Sequence, residues 1–166
     1  VIGKGRNVGG LVGWNAGSIT NSYAEGNVHG EDICVGGLVG RSFRNGEITN
    51  SYAKGNVDGN NYSGGLVGYN FGLVINSYAE GNVDGAADVG GLVGWNREGS
   101  ITNSYAEGDV EGNVHVGGLA GRNEGAIANS YSVGGVIGNT WVGGFTGYNS
   151  DSGTIAYCYY NKETSG

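Results

Sequence analysis

The chain has no proline, no methionine, only 2 cysteines, and only 8 lysines and arginines against 15 aspartates and glutamates in its 166 residues. A net charge of −7 without any basic cluster argues against a nucleic-acid partner. No run of about 18 apolar residues occurs, so neither a transmembrane helix nor membrane insertion is expected. The two cysteines, Cys34 and Cys158, are four repeats apart, about 20 Å at the spacing of stacked strands, which is too far for a disulfide. They are read as unpaired thiols, one of them buried, with an intermolecular bridge through Cys34 as the alternative. Histidine is equally scarce. His29 and His115 are about three repeats apart, roughly 14 Å, which excludes a shared metal ion and leaves both as solvated surface side chains.

What the chain has in abundance is glycine, 38 residues, and repetition. Copies of one phrase begin at Val8, Val35, Ser63, Val89, Val116 and Val142, with successive starts 27, 28, 26, 27 and 26 residues apart. The fullest copy runs VGGLVGWNAGSITNSYAEGNVHG from Val8 to Gly30, and Asn-Ser-Tyr recurs at Asn21, Asn50, Asn76, Asn103 and Asn129. A fixed period of this size marks a solenoid, a propeller or an array. Three β-compatible pieces fall in each copy, in the first at Leu11–Trp14, Ile19–Glu25 and Asn27–His29, with turn residues between them. About 40 residues are needed for a propeller blade, so the fold expected is an all-β parallel β-solenoid (β-helix). It should have about six coils of roughly 27 residues, with three short strands per coil.

Alternation predicts which side chains face inward. The slot of Glu25, Lys54, Glu80 and Glu107 must face water, which sends Tyr23, Asn27 and His29 outward and Ser22, Ala24, Gly26 and Val28 inward. Leu11, Leu38, Leu66, Leu92, Leu119 and Phe145 form a further inward row, as do Ile19, Ile48, Val74, Ile101, Ile127 and Ile155. The opposite parity, with tyrosines inside, would bury Glu25. The Gly-Gly pairs are read as tight corners where φ can be positive, since no helix follows to make them phosphate loops. Length varies only at Arg41–Glu47, Trp95–Ser100 and Tyr148–Thr154 and after His29, as corner loops permit. The copies form one domain over 1–166. Residues 157–166 are expected to be a C-terminal cap or tail, with Tyr160 in the small Ala24 slot covering the core.

The GGLVG–N–G–I–NSYA–G–V–G phrase, matched from Val8 to about Tyr160, resembles the GLUG motif of bacterial repeat proteins. That resemblance implies an exported, extracellular or cell-surface setting. The family includes adhesin-like proteins and some M26-class immunoglobulin A peptidases. Peptidase activity does not follow, because His29 and His115 cannot form the His-Glu-x-x-His zinc helix of that class. The opening at Val1, in mid-phrase and without a signal peptide, is read as the start of an excised block of a longer chain, with neighbouring domains among its partners.

No unique catalytic constellation stands out of the repeat, so the chain is expected not to be an enzyme. No cofactor is expected. Calcium has one weak candidate, Asp109-x-Glu111-x-Asn113, which lacks the glycine and final acid of an EF-hand loop. The candidate binding residues form two outward aromatic columns. One is Trp14, Arg41, Tyr69, Trp95, Arg122 and Tyr148, and the other is Tyr23, Tyr52, Tyr78, Tyr105 and Tyr131, continued by Tyr159. Stacking and cation–π contacts account for both structurally. As a recognition stripe they would grip a glycan or a protein on a host or bacterial surface. The function expected is a rigid adhesion-type segment of a surface protein. The alternatives are a carbohydrate-binding module, an ice-binding face built on Thr20, Thr49 and Thr102, or the spacer of a secreted peptidase.

Overall fold

The computed structural model describes residues 1–161. Residues 162–166, which belong to the expected cap and tail, lie outside the described residues. The chain winds as a parallel β-solenoid in which five sheets of six strands each run the length of the stack. In the second coil the strands are Val28–Gly30 in sheet 1, Ile33–Gly36 in sheet 2, Val39–Ser42 in sheet 3, Glu47–Thr49 in sheet 4 and Tyr52–Lys54 in sheet 5. Register follows the sequence phrase: Val8 pairs with Val35, Val35 with Ser63, Ser63 with Val89, Val89 with Val116 and Val116 with Val142.

The expected three strands per coil are five. The stretch read as one piece, Ile19–Glu25, breaks after Thr20 because Asn21 adopts a left-handed φ of 51°, as do Asn50, Asn76, Asn103 and Asn129. Asparagine tolerates that region better than most residues, which explains its place in every copy. The fifth strand, Val8–Gly9 in the first coil, lies in the Gly-Gly phrase that composition assigns to a corner.

Those glycines serve close approach. A Cβ on Gly36 would come within 2.1 Å of the Val39 carbonyl oxygen, and one on Gly68 within 2.6 Å of the Val35 nitrogen. Gly36, of a Gly-Gly pair, lacks the positive φ expected of that corner, whereas Gly26 has one, at 111°. Sheets 2 and 3 therefore meet backbone to backbone, with no side chain between them.

This seam divides the interior into two cores. The larger holds the Leu38, Val39, Ile48 and Ala53 rows, and the smaller is built on Val28, Val35, Val57, Val83, Val89, Val110 and Val116, with Ser63 buried in the Val35 row. The inward assignment of the leucine, isoleucine, serine, alanine and valine rows holds through the middle coils. Gly26 departs from it: the positive-φ turn interrupts the alternation and leaves that residue exposed. Leu11 and Ile155, in the outer coils, are exposed members of otherwise buried rows. At the last coil the Tyr160 ring packs against Gly144 and its hydroxyl donates to the Gly134 carbonyl at 3.1 Å. The length-variable loop joins sheets 3 and 4, outside both cores.

Polar ladders join coil to coil. Ser22, Ser51, Ser77 and Ser104 donate their backbone N–H to the serine Oγ of the next coil at 3.1–3.2 Å. Each of those Oγ atoms donates to the carbonyl two residues earlier, so the slot's preference for serine is a hydrogen-bond requirement. A buried amide ladder runs Asn70→Asn96→Asn123→Asn149 with three Nδ2···Oδ1 bonds of 2.8 Å. Ser42 interrupts it, and Asn15 Nδ2 and Ser42 Oγ are both buried without partners.

Candidate functional site

The two aromatic columns occupy different faces. On sheet 5 the tyrosines stack almost parallel, with centroids 4.9–5.3 Å apart and interplanar angles of 1–9° from Tyr23 to Tyr159. Burial pushes the Tyr105 phenol up to about 12, since desolvation disfavours the phenolate. From Tyr52 to Tyr131 both ring faces are spent on neighbours, leaving edges and hydroxyls toward solvent.

The second column lies on sheet 3. Trp14 pairs with Arg41, Arg41 with Tyr69, Tyr69 with Trp95, Trp95 with Arg122 and Arg122 with Tyr148. The alternation of guanidinium and ring yields cation–π contacts: the Arg122 guanidinium carbon is 4.5 Å from the Trp95 ring and that of Arg41 is 5.1 Å from Tyr69. The column is less open than its outward assignment implies. Tyr69 is only 6% exposed, because Tyr62, Phe71 and Trp95 close over it, with centroids 4.8–5.4 Å away. Trp14, at 57%, remains open.

Two flanking columns widen this stripe into a face, and sequence reasoning assigned neither to a site. One comprises Phe43, Phe71, Arg97 and Glu124 at the start of the loop after sheet 3. Arg97 Nη1 donates to the Tyr69 hydroxyl at 3.2 Å, and the Arg122 guanidinium donates to Glu124 Oε1. The other lies in sheet 2 at the residue before each Val8-type position: Asn7, Cys34, Tyr62, Asp88, His115 and Trp141, all with φ of 51–63°. Six different residue types fill that slot, so repeat alignment gives it no signature. Its left-handed backbone is the shared property, and it turns these side chains toward the Trp14 column.

His115 belongs to this face and is not the solvated surface histidine expected. Its Nδ1 donates to Asp88 Oδ1 at 2.7 Å, while Trp141 and Tyr148 cover its ring with centroids at 4.8 and 5.1 Å. Burial raises the Asp88 carboxyl above its ordinary range, opposed by the His115 hydrogen bond. His29 is half-buried and pairs with Asp58 at 2.9 Å. Cys34 is buried, and desolvation raises its thiol to about 11, which removes the route to an intermolecular bridge.

On sheet 1 a groove of about 500 Å³ is lined by Asn56, Asp58, Asn82, Asp84, Asp109 and Glu111. Two residues of the calcium candidate, Asp109 and Glu111, line it, whereas Asn113 does not, and two of its oxygens are engaged in the stack. Asp109 Oδ1 accepts from Gly135 N at 2.6 Å and Asn113 Oδ1 accepts from Asn139 Nδ2 at 2.9 Å. Among the described residues no three His, Cys, Asp or Glu side chains converge as metal ligands, and no helix is long and apolar enough to cross a membrane.

Fold and face together define a repeat structural segment whose side chains serve mainly to join coil to coil. The family described as the GLUG motif matches at residues 4–28, 32–58, 59–84 and 85–111, so the chain belongs to the GLUG-motif repeat family. No curated protein and no solved structure matches it.

Proposed function

We propose that this chain is a non-enzymatic rigid segment of an exported bacterial surface protein, serving as a spacer and an adhesion-type interaction surface. The observation that supports this reading is the continuity of the ladders. The tyrosine stack spans all six coils, and the serine bonds join the coils through Ser130. The serine hydroxyls and the faces of the inner tyrosine rings are thereby committed to the ladders. Six coils at ~4.8 Å give a rod of roughly 29 Å.

Mechanical unfolding of the chain between fixed handles tests the spacer reading. Resistance with abrupt, whole-stack rupture supports it, and extension at forces typical of a disordered linker overturns it. Turnover of a peptide or polysaccharide by the purified chain would overturn its non-enzymatic character. Loss of adhesion when this segment is deleted from the displayed protein, with display level unchanged, tests the surface role.

A second reading, saccharide binding by the aromatic face, is favoured by the open rings of Trp14 and Trp141. Trp14→Ala should abolish retention on a glycan support under this reading and only alter stability under the scaffold reading. Tyr69 is too buried to discriminate between them.

A further inference from the structure

Arg41 differs from the other arginines of the molecule. Arg97 and Arg122 both face Glu124, Arg44 pairs with Glu98 at 2.7 Å and Arg6 with Asp32 at 3.7 Å. Among the described residues no carboxylate lies within the 4.0 Å ion-pair distance of Arg41. Its guanidinium instead stands among four rings, with Cζ at 5.6 Å from Trp14, 5.9 Å from Phe43, 5.1 Å from Tyr69 and 5.6 Å from Phe71. Its Nε is buried with no hydrogen-bond partner.

The cage is closed at Tyr69 and open at Trp14 and Phe43, the latter 37% exposed. A partly desolvated cation without a counter-anion is unfavourable in itself. Ring quadrupoles offset part of that penalty, but the planar fork of N–H donors remains suited to a carboxylate. Acidic side chains outnumber basic ones 15 to 8 in this chain, yet none of the described ones is within ion-pair distance of Arg41.

We propose that Arg41, Trp14 and Phe43 form a subsite for an acidic saccharide, with the carboxylate of a sugar acid on the guanidinium and the C–H face of its ring on Trp14. A sugar acid joins a carboxylate and a flat apolar face within one ring, which matches a single cation set between open aromatic rings. An acidic peptide side chain brings the charge without that face. The inference rests on the saccharide-binding reading of the aromatic face and names the ligand class for it.

Calorimetric titration of the whole chain with digalacturonate, its dimethyl ester, sialyllactose, lactose and a Glu-Glu dipeptide tests it. The wild type should bind at least one of the acidic sugars about tenfold more tightly than its uncharged partner. Arg41→Gln should remove that difference without changing affinity for the uncharged sugar. Trp14→Ala should weaken both, and Arg44→Gln should weaken neither.

Equal affinity for acid and uncharged partner, or an Arg41→Gln variant that retains the preference, overturns the Arg41 subsite while leaving saccharide binding standing. Absence of binding by all four sugars overturns both readings. Arg41-dependent binding of the dipeptide with no sugar binding overturns the saccharide assignment. Should Arg41→Gln fail to fold, Arg41→Lys keeps the charge without the fork and should selectively weaken the acidic sugar. Ring resonances of Trp14 and Phe43 must shift on titration of the wild type, and unshifted rings refute the placement.

Discussion

Ser42→Asn should stabilise this protein, because the buried amide ladder is broken at one rung only. Asn15 Nδ2 and Ser42 Oγ are buried and unpartnered on one side of the break, while Asn70 begins an unbroken run on the other. The longer loop after Ser42 is no obstacle. Asn149 precedes a loop of equal length, receives Asn123 Nδ2 at 2.8 Å and donates to Gly153 O at 3.1 Å. An introduced amide would accept from Asn15 Nδ2 and donate to Asn70 Oδ1. Two hydrogen bonds at about 1 kcal/mol each, plus relief of a stranded donor worth about 1 more, give a gross gain of about 3 kcal/mol. Ordering the side chain removes about 1 kcal/mol. A net gain of about 2 kcal/mol raises the melting temperature by roughly 4–8 °C for a chain of this size. Thermal and urea melts followed by far-UV circular dichroism read the change, with an unchanged urea slope showing that the same surface unfolds. Asn96→Ala supplies the converse, losing three bonds at 2.8, 2.8 and 3.1 Å for a cost of about 3 kcal/mol. A lowered or unchanged melting temperature for Ser42→Asn, alongside clear destabilisation by Asn96→Ala, would refute the rung argument.

Alkylation with iodoacetamide under native conditions should modify Cys158 and spare Cys34, which is 2% exposed with its thiol raised to about 11; a mass increase of two adducts before unfolding would contradict this. Tyr105→Ala removes two stacked partners at 4.9 Å and should cost about 2 kcal/mol in a urea melt, more than the same change at Tyr23, which has one. For Asp88 the folded carboxyl is raised from 3.8, so its contribution favours folding when protonated and is lost as pH rises through the raised value. Asp88→Asn, which keeps an acceptor for His115 Nδ1, should therefore gain stability relative to wild type as pH increases from about 4 to 7. Parallel melting curves across that range would show that Asp88 does not carry this linkage.

Much of this architecture is legible in the sequence because the repeat itself states the register. The rows of Leu38, Ile48, Ala53 and Val57 could be assigned inward from spacing alone, since alternation within a short strand obeys fixed geometry. The number of strands could not. It depends on Asn21 and its counterparts adopting a left-handed backbone, and on Gly36 and Gly68 allowing two backbones to touch. Both are tertiary facts with no periodic signature beyond the residue type. The aromatic face was half legible. Trp14, Arg41, Tyr69, Trp95, Arg122 and Tyr148 share a register position and so announced themselves. Tyr62, His115 and Trp141 occupy a slot with no common chemistry, and Phe43 and Phe71 open a loop of variable length. The Asp88–His115 pair bridges successive coils at that irregular slot, where searching within one phrase finds nothing.

The glycine seam between sheets 2 and 3 makes the cross-section resemble a beam with a thin web and two separate flanges. Load passes across the web through backbone alone, so it does not depend on which side chains fill either flange. The outer face of sheets 2 and 3 can be refashioned coil by coil, as the irregular column through Cys34, Tyr62, Asp88 and His115 has been, while the valine flange changes only at Ser63. A scaffold divided in this way can change what it displays without renegotiating how it stands.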